Sequence, residues 1–225
     1  MIRLHHLSKS FRAGTGVKRV ADDICASFPP GRAIALLGRN GAGKSTLLQM
    51  IAGTVAPSSG RVVTQGTVSF PVGFAGSFHN DLTGAQNCRF VARIYGVDTD
   101  DLVGFVEAFA ELGAHFRMPL RTYSSGMRSR LAFGVSMGIG FDTYLVDEIT
   151  AVGDAAFRQK SAELFRARMA HAGAIMVTHS MSQVRELCDA AAVLEAGRLT
   201  LFGDVEAAIA QHERNMAGSA RAATG

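Results

Sequence analysis

The nine residues "GRNGAGKST", Gly38 to Thr46, stand between the short apolar run "AIALL", Ala33 to Leu37, and the helix-like "LLQMIAG", Leu47 to Gly53. Gly38, Gly41 and Gly43 leave the backbone bare enough to wrap closely around a ligand, and a lysine and two hydroxyls follow at once. The spacing is G-x-x-x-x-G-K-[ST], with a strand candidate before it and a helix candidate after it, the context this motif requires. Successive N–H groups and the helix N-terminus then point at phosphate oxygens. In this reading Lys44 neutralises the β- and γ-phosphates, the Ser45 hydroxyl ligates Mg²⁺ and Thr46 helps to hold the α/β-phosphate region.

Outward from that loop, "TYLV" (Thr143 to Val146) and "AIMV" (Ala174 to Val177) are short uninterrupted apolar runs like "AIALL". Strands buried on both faces of a mainly parallel sheet read this way, so the expected class is α/β. "DDLVGFVEAFAELG" spaces Leu102, Phe105, Val106, Phe109 and Leu112 at three and four residues, an amphipathic helix, and a second helix is expected over about 84–95. "FPPG" and "APSSG" mark turns, while "RLTLFG" followed by "DVEAAIAQHER" predicts a strand and a closing helix. The small, polar end of the chain, 217–225, is expected to be disordered. There is no internal repeat and no linker that divides the chain into independent halves.

Composition sets the surroundings. A chain of 225 residues with 48% hydrophobic content can bury one large core, or a core and a smaller subdomain. The longest apolar stretch, "LAFGVSMGIGF" at Leu131 to Phe141, falls short of the roughly 18 residues needed to span a bilayer. The N-terminal "MIRLHHLSKSF" does not read as a secretory signal. Cys25, Cys88 and Cys188 are scattered and odd in number, which argues against a disulfide framework and a zinc site and fits a reducing cytosol. The net charge of +4 comes without a run of three basic residues and reads mostly as solvated surface.

Phosphoryl transfer to water needs a carboxylate for the metal and a group that orients the attacking water. "TYLVDE" ends in Asp147 and Glu148, at the carboxyl edge where open α/β sheets bind ligands. Asp147 is assigned to Mg²⁺ and Glu148 to general-base catalysis. His179, in "MVTHS" after the next core strand, could hydrogen-bond the γ-phosphate or the attacking water. Lys44, Glu148 and His179 are thus the candidate catalytic residues.

"YSSGM", Tyr123 to Met127, gives a second small-residue start to an apolar helix, about 20 residues before Asp147. Here the chain resembles the nucleotide-binding subunit of ABC transporters. The order "GRNGAGKST", "YSSGM" in the place of the LSGGQ signature, "YLVDE", "TAVGD" as the D-loop with Asp154, and "THS" as the switch histidine follows the family's. The resemblance implies one P-loop ATPase domain over 1–216, with an antiparallel N-terminal β subdomain and a helical subdomain inserted at about 84–135. It further implies ATP and Mg²⁺ as ligands and a head-to-tail homodimer that sandwiches the nucleotide. Gly38, Asn40, Gly41, Ala42, Gly43, Lys44, Ser45 and Thr46 of one subunit hold ATP, with Ser124, Ser125 and Gly126 of the other covering it and Asp154 nearby. Phe11, in "SKSF", stands where the family places an aromatic on adenine; a strand-edge packing role is the alternative.

Two motifs depart from the family pattern. No glutamine occurs between Gln65 and Gln86, so the family's Q-loop glutamine has no clear counterpart, and His79 in "VGFAGSFHNDLTG" is the candidate substitute. Ser125 and Met127 also replace the usual glycine and glutamine of the signature.

"YSSGMRSRLAF", "DEITAVGD" and "FHNDLTGAQN" look like the ATPases of polysaccharide exporters, of the capsular type from Gram-negative bacteria. That branch implies a peripheral protein on the cytoplasmic face of the inner membrane, binding two copies of a permease subunit through about 75–125 and no nucleic acid. The alternatives are the same ATPase for another exported substrate, such as O-antigen or teichoic acid, and a soluble ABC-type ATPase acting on DNA or ribosomes.

Overall fold

A computed structural model describes residues 1–14, 16–73, 78–147 and 154–222. The chain divides into two compact units. The first comprises 1–71, 142–148 and 171–225; the second comprises 72–141 and 149–170.

The first unit contains two sheets. β1 (Ile2–Ala13) pairs antiparallel with both β2 (Gly16–Phe28) and β4 (Ser59–Thr64), which makes the N-terminal sheet. The larger sheet has the order β5 (Val68–Pro71), β6 (Thr143–Asp147), β7 (Gly173–Val177), β3 (Ala33–Leu37), β8 (Ala190–Glu195), β9 (Arg198–Phe202). Its pairs are parallel except β8 with β9. β3 and β7 are buried along their whole length, so the apolar runs that predict them are the core itself. α1 (Lys44–Ile51) sends Leu47 and Leu48, both fully buried, into the cluster with Leu36, Leu145, Ile175 and Leu194. Removing one such leucine side chain costs about 2–5 kcal/mol. A second cluster joins Ala35, Leu37, Ala191 and Val193 to α6 (Met181–Leu187) and α7 (Val205–Ala222) through Val184, Ala208 and Ile209.

β5 is fastened to β6 at their starts. The Asp142 carboxylate accepts from the Thr67 N–H at 2.7 Å and the Thr67 hydroxyl at 2.9 Å, and these bonds hold its pKa below the usual aspartate value. α7 extends to Ala222, past the point at 217 where polarity alone suggests a coil. Alanine has the highest helix propensity, and Ala217, Ala220 and Ala222 carry the helix on.

The second unit consists of α2 (Gly84–Tyr95), α3 (Thr99–Ala110), α4 (Ser125–Gly138) and α5 (Ala155–Met169), with two short 3-10 turns at Gly113–Arg117 and Leu120–Thr122. It is wider than the expected 84–135 and includes α5. Aromatic packing explains the extension, since the Phe109 ring lies 5.8 Å from that of Phe133 and 5.2 Å from that of Phe157 on α5. α3 stops before Leu112, because Glu111 takes a left-handed backbone with φ 54° and closes the helix. Among the described residues no helix is long and apolar enough to cross a membrane.

Candidate functional site

The loop after β3 returns to form the start of α1 through glycines that no other residue could replace without strain. Gly43 has φ 106°, and a Cβ there would lie 2.8 Å from the Val20 Cβ. Gly43 is also the N-cap of α1 and offers no side chain, so the first turn of the helix is left without a side-chain cap. Its N–H groups and the positive end of the helix dipole are thereby committed to an outside anion.

Lys44 is 7% exposed, and its Nζ donates to the carbonyls of Gly38 at 2.7 Å and Arg39 at 3.0 Å. The ammonium is therefore held against the glycine loop by the loop's own backbone. A cavity of about 440 Å³ opens over this loop. Phe11, Asn40, Gly41, Gly43, Lys44, Ser45, Thr46, Asp147 and His179 line it, so most sequence-predicted residues of this unit meet in one place. Gly38 serves through its carbonyl on Lys44, and Ala42 continues the loop with its N–H bonded to the Arg39 carbonyl at 3.1 Å. Asp147 and His179 arrive from the carboxyl ends of β6 and β7, where Asp147 is in register with Val177. Lys18 and Val20 of β2 also line the cavity. Sequence reading missed both, because nothing in "VKRV" marks which strand residue faces the loop.

Ser45 and Asp147 suit Mg²⁺. They bring one hydroxyl and one carboxylate to the same cavity, and Mg²⁺ on phosphates takes one or two such ligands and completes its shell with phosphate oxygens and water. Among the described residues no group of three or more His, Cys, Asp or Glu forms an all-protein metal cage. Glu148, the candidate base, lies outside the described residues, as do 150–153 of the D-loop.

Ser124, Ser125, Gly126 and Asp154 belong to the helical unit. Ser124 is the N-cap of α4, and its Oγ accepts from the Met127 N–H at 3.2 Å. Ser124 and Gly126 line a second cavity of about 370 Å³ together with Glu111, Leu112, His115, Met127 and Arg130; Ser125 opens the helix beside it. The turn is anchored by its neighbour Tyr123, which is buried and donates its hydroxyl to the His115 carbonyl at 2.6 Å, and burial pushes its phenol up to about 12. Asp154 caps α5 by accepting from the Phe157 N–H at 2.9 Å and pairs with Arg130 at 2.8 Å; the backbone bond first, then Arg130, lowers its pKa. The Arg130 guanidinium in turn lies 4.4 Å from the centre of the Phe157 ring.

His79, the candidate for the missing glutamine, spends its Nδ1 on the Asp81 N–H at 3.2 Å. The loop it belongs to is fixed by the fully buried Asn87, which sequence reading did not single out. The Asn87 amide donates to the carbonyls of His79, Leu82 and Thr83 at 3.2, 3.3 and 3.0 Å, and its oxygen accepts from the His79 N–H at 2.9 Å.

A glycine-lined phosphate cradle at the carboxyl edge of a parallel sheet, joined to a separate helical unit that starts a helix with a serine-bearing turn, defines the ATP-binding cassette type of P-loop fold. Comparison with known proteins agrees. The family model for "ABC transporter" matches residues 21–151, and the chain belongs to the ABC transporter family. It is similar to the polysialic acid transport ATP-binding protein KpsT of Escherichia coli, 48% identical across 96% of this chain and 100% of that protein. It is also similar to the capsule polysaccharide export ATP-binding protein CtrD of Neisseria meningitidis, 44% identical across 92% of this chain and 96% of that one. Among solved structures, a dimeric post-hydrolysis state of the ATP-binding cassette MJ0796 bound to ADP and Pi superposes with a TM-score of 0.73 at 18% identity, covering 88% of this chain and 96% of that chain.

Proposed function

We propose that this chain is the ATP-hydrolysing subunit of an exporter that moves capsular polysaccharide across the bacterial inner membrane. The convergence of Lys44, Ser45, Thr46, Asp147 and His179 on one cavity carries the ATPase reading. Identity of 48% over the full length of a polysialic acid transport ATP-binding protein supports the substrate class.

The N–H groups of the glycine loop and α1 receive the phosphate chain, and Lys44, already desolvated against the loop, neutralises its terminal groups. Ser45 and Asp147 would hold Mg²⁺, which would supply positive charge against the phosphate chain. Glu148 takes the proton of the attacking water, whose oxygen bonds to the γ-phosphorus as the bond to the β-bridging oxygen breaks and ADP leaves. His179 orients that water or the γ-phosphate, and Phe11 stacks on the adenine. Ser124, Ser125 and Gly126 of a second subunit close over the nucleotide, with Asp154 at the seam, so two copies work as a homodimer.

The partner is an integral membrane permease, two copies per dimer, and the complex sits on the cytoplasmic face of the membrane. The outer side of α2 supports this. It presents Phe90 and Ile94, 50% and 60% exposed and one turn apart, beside the parallel row of exposed Arg89 and Arg93, an apolar strip with a basic margin suited to a protein surface. The test is co-expression with the cognate membrane permease subunit. The expected outcome is recruitment to the membrane fraction, ATPase activity that Glu148→Gln abolishes while ATP binding persists, and intracellular accumulation of capsular polymer when the chain is deleted. Accumulation of O-antigen or teichoic acid instead would move the substrate assignment, and binding to nucleic acid without membrane recruitment would overturn the transport reading.

A further inference from the structure

We infer that Lys18 is a second cation of the nucleotide site, reaching from the N-terminal hairpin onto the phosphate chain; the inference rests on the proposed ATP site. In the register of β1 with β2, Phe11 stands directly opposite Lys18. Opposed residues of an antiparallel pair project on the same face. Both side chains line the cavity above the glycine loop. The Lys18 Nζ lies over that loop, since a methyl group placed on Gly41 would be 3.4 Å from it.

Three neighbouring cations are otherwise engaged. Arg19 pairs with Asp22 at 2.7 Å, Lys9 donates to the Ala56 carbonyl at 2.7 Å while its Nζ sits 5.0 Å from the centre of the Phe11 ring, and Lys44 donates to Gly38 and Arg39. Among the described residues Lys18 has no carboxylate or carbonyl partner. An ammonium held over an amide-lined cradle, with nothing of its own to neutralise it, is complementary to an anion that enters the cradle. The adjacent Phe11 fixes which end of the nucleotide lies where: with adenine on the Phe11 ring, the phosphates run past Lys18 to Lys44. Lys18 thus belongs with the binding of the phosphate chain and takes no part in bond breaking.

The experiment is calorimetric titration of the full chain with MgATP, MgADP and AMP, for the wild type and for Lys18→Gln and Lys18→Arg, at low and at raised salt. The expected result is that Lys18→Gln weakens MgATP binding about fivefold, the factor for one exposed unit-charge pair at contact. The loss should shrink from ATP to AMP and fade as salt rises. Lys18→Arg should bind within about twofold of wild type, because it keeps the charge. Steady-state hydrolysis should show a raised KM with kcat unchanged. Unchanged MgATP affinity in Lys18→Gln would overturn the inference, and so would an equal loss for AMP and ATP, which would assign Lys18 to hairpin structure. Wild-type protein that binds no MgATP would instead overturn the proposed site, a separate outcome read before any variant is compared.

Discussion

Helices α1 and α4 both begin on small residues after a sharp turn, yet their first turns are completed in opposite ways. At α1 the N-cap is Gly43 and no side chain satisfies the exposed N–H groups. At α4 the N-cap is Ser124, whose hydroxyl already accepts from the Met127 N–H. The first helix start is incomplete until an anion arrives; the second is stable alone and offers only what Ser124 can give up or share. An identical sequence cue, small residues ahead of an apolar helix, therefore covers a primary binding site and a surface that acts second.

Lys44→Ala breaks the comparison most strongly on the α1 side. It removes the charge that the incomplete helix start relies on, and hydrolysis should fall by about two orders of magnitude or more, with MgATP binding weakened in calorimetry. Gly43→Ala attacks the same end through the backbone. A Cβ at φ 106°, 2.8 Å from the Val20 Cβ, should cost about 1–3 kcal/mol in denaturant unfolding and should deform the cradle enough to abolish nucleotide binding. Ser124→Ala tests the other end. It should lower stability by about 1 kcal/mol, a fall in Tm of about 2–4 °C, while a single subunit binds MgATP as before. Ser124→Asn should restore the stability, because asparagine caps as well as serine. Recovery of Tm without recovery of hydrolysis would separate capping from nucleotide closure.

The smallest effect concerns Asp154, whose folded-state pKa is depressed by the Phe157 N–H and then by Arg130. A depressed carboxylate contributes stability that is present above its unfolded value, about 3.9, and is lost as pH falls through the folded value. The gap in Tm between wild type and Asp154→Ala should thus be open at neutral pH and narrow in acid. A gap that stayed constant across that range would exclude the carboxylate as its source.

Legibility followed how local each signal was. The cradle was readable because its chemistry lies in nine consecutive residues, and β3, β6 and β7 were readable because burial on both faces leaves an unbroken apolar run. β8 was not, because "AAAVLE" opens with the strongest helix formers and becomes a strand only by pairing with β3 on one side and β9 on the other. Lys18 could not be found for a related reason. Its place over Gly41 depends on hairpin register, with shifts between Leu4 and Leu7, Leu7 and Lys9, and Lys9 and Ser10 that no sequence pattern announces. The membership of α5 in the helical unit turns on Phe157 meeting Phe109, a contact between distant stretches of chain.

Asn87 closes four hydrogen bonds with a single side chain and is the buried fastening of the 79–83 loop, which Arg121 on Asp81 and Arg128 on Asn80, each at 2.7 Å, hold from the exposed side. Aspartate has the same outline but cannot donate, and leucine can do neither, so no residue of similar shape can stand in. One changed atom would strip the three bonds that Asn87 donates, so damage to the exposed loop can originate in a side chain that never reaches the surface.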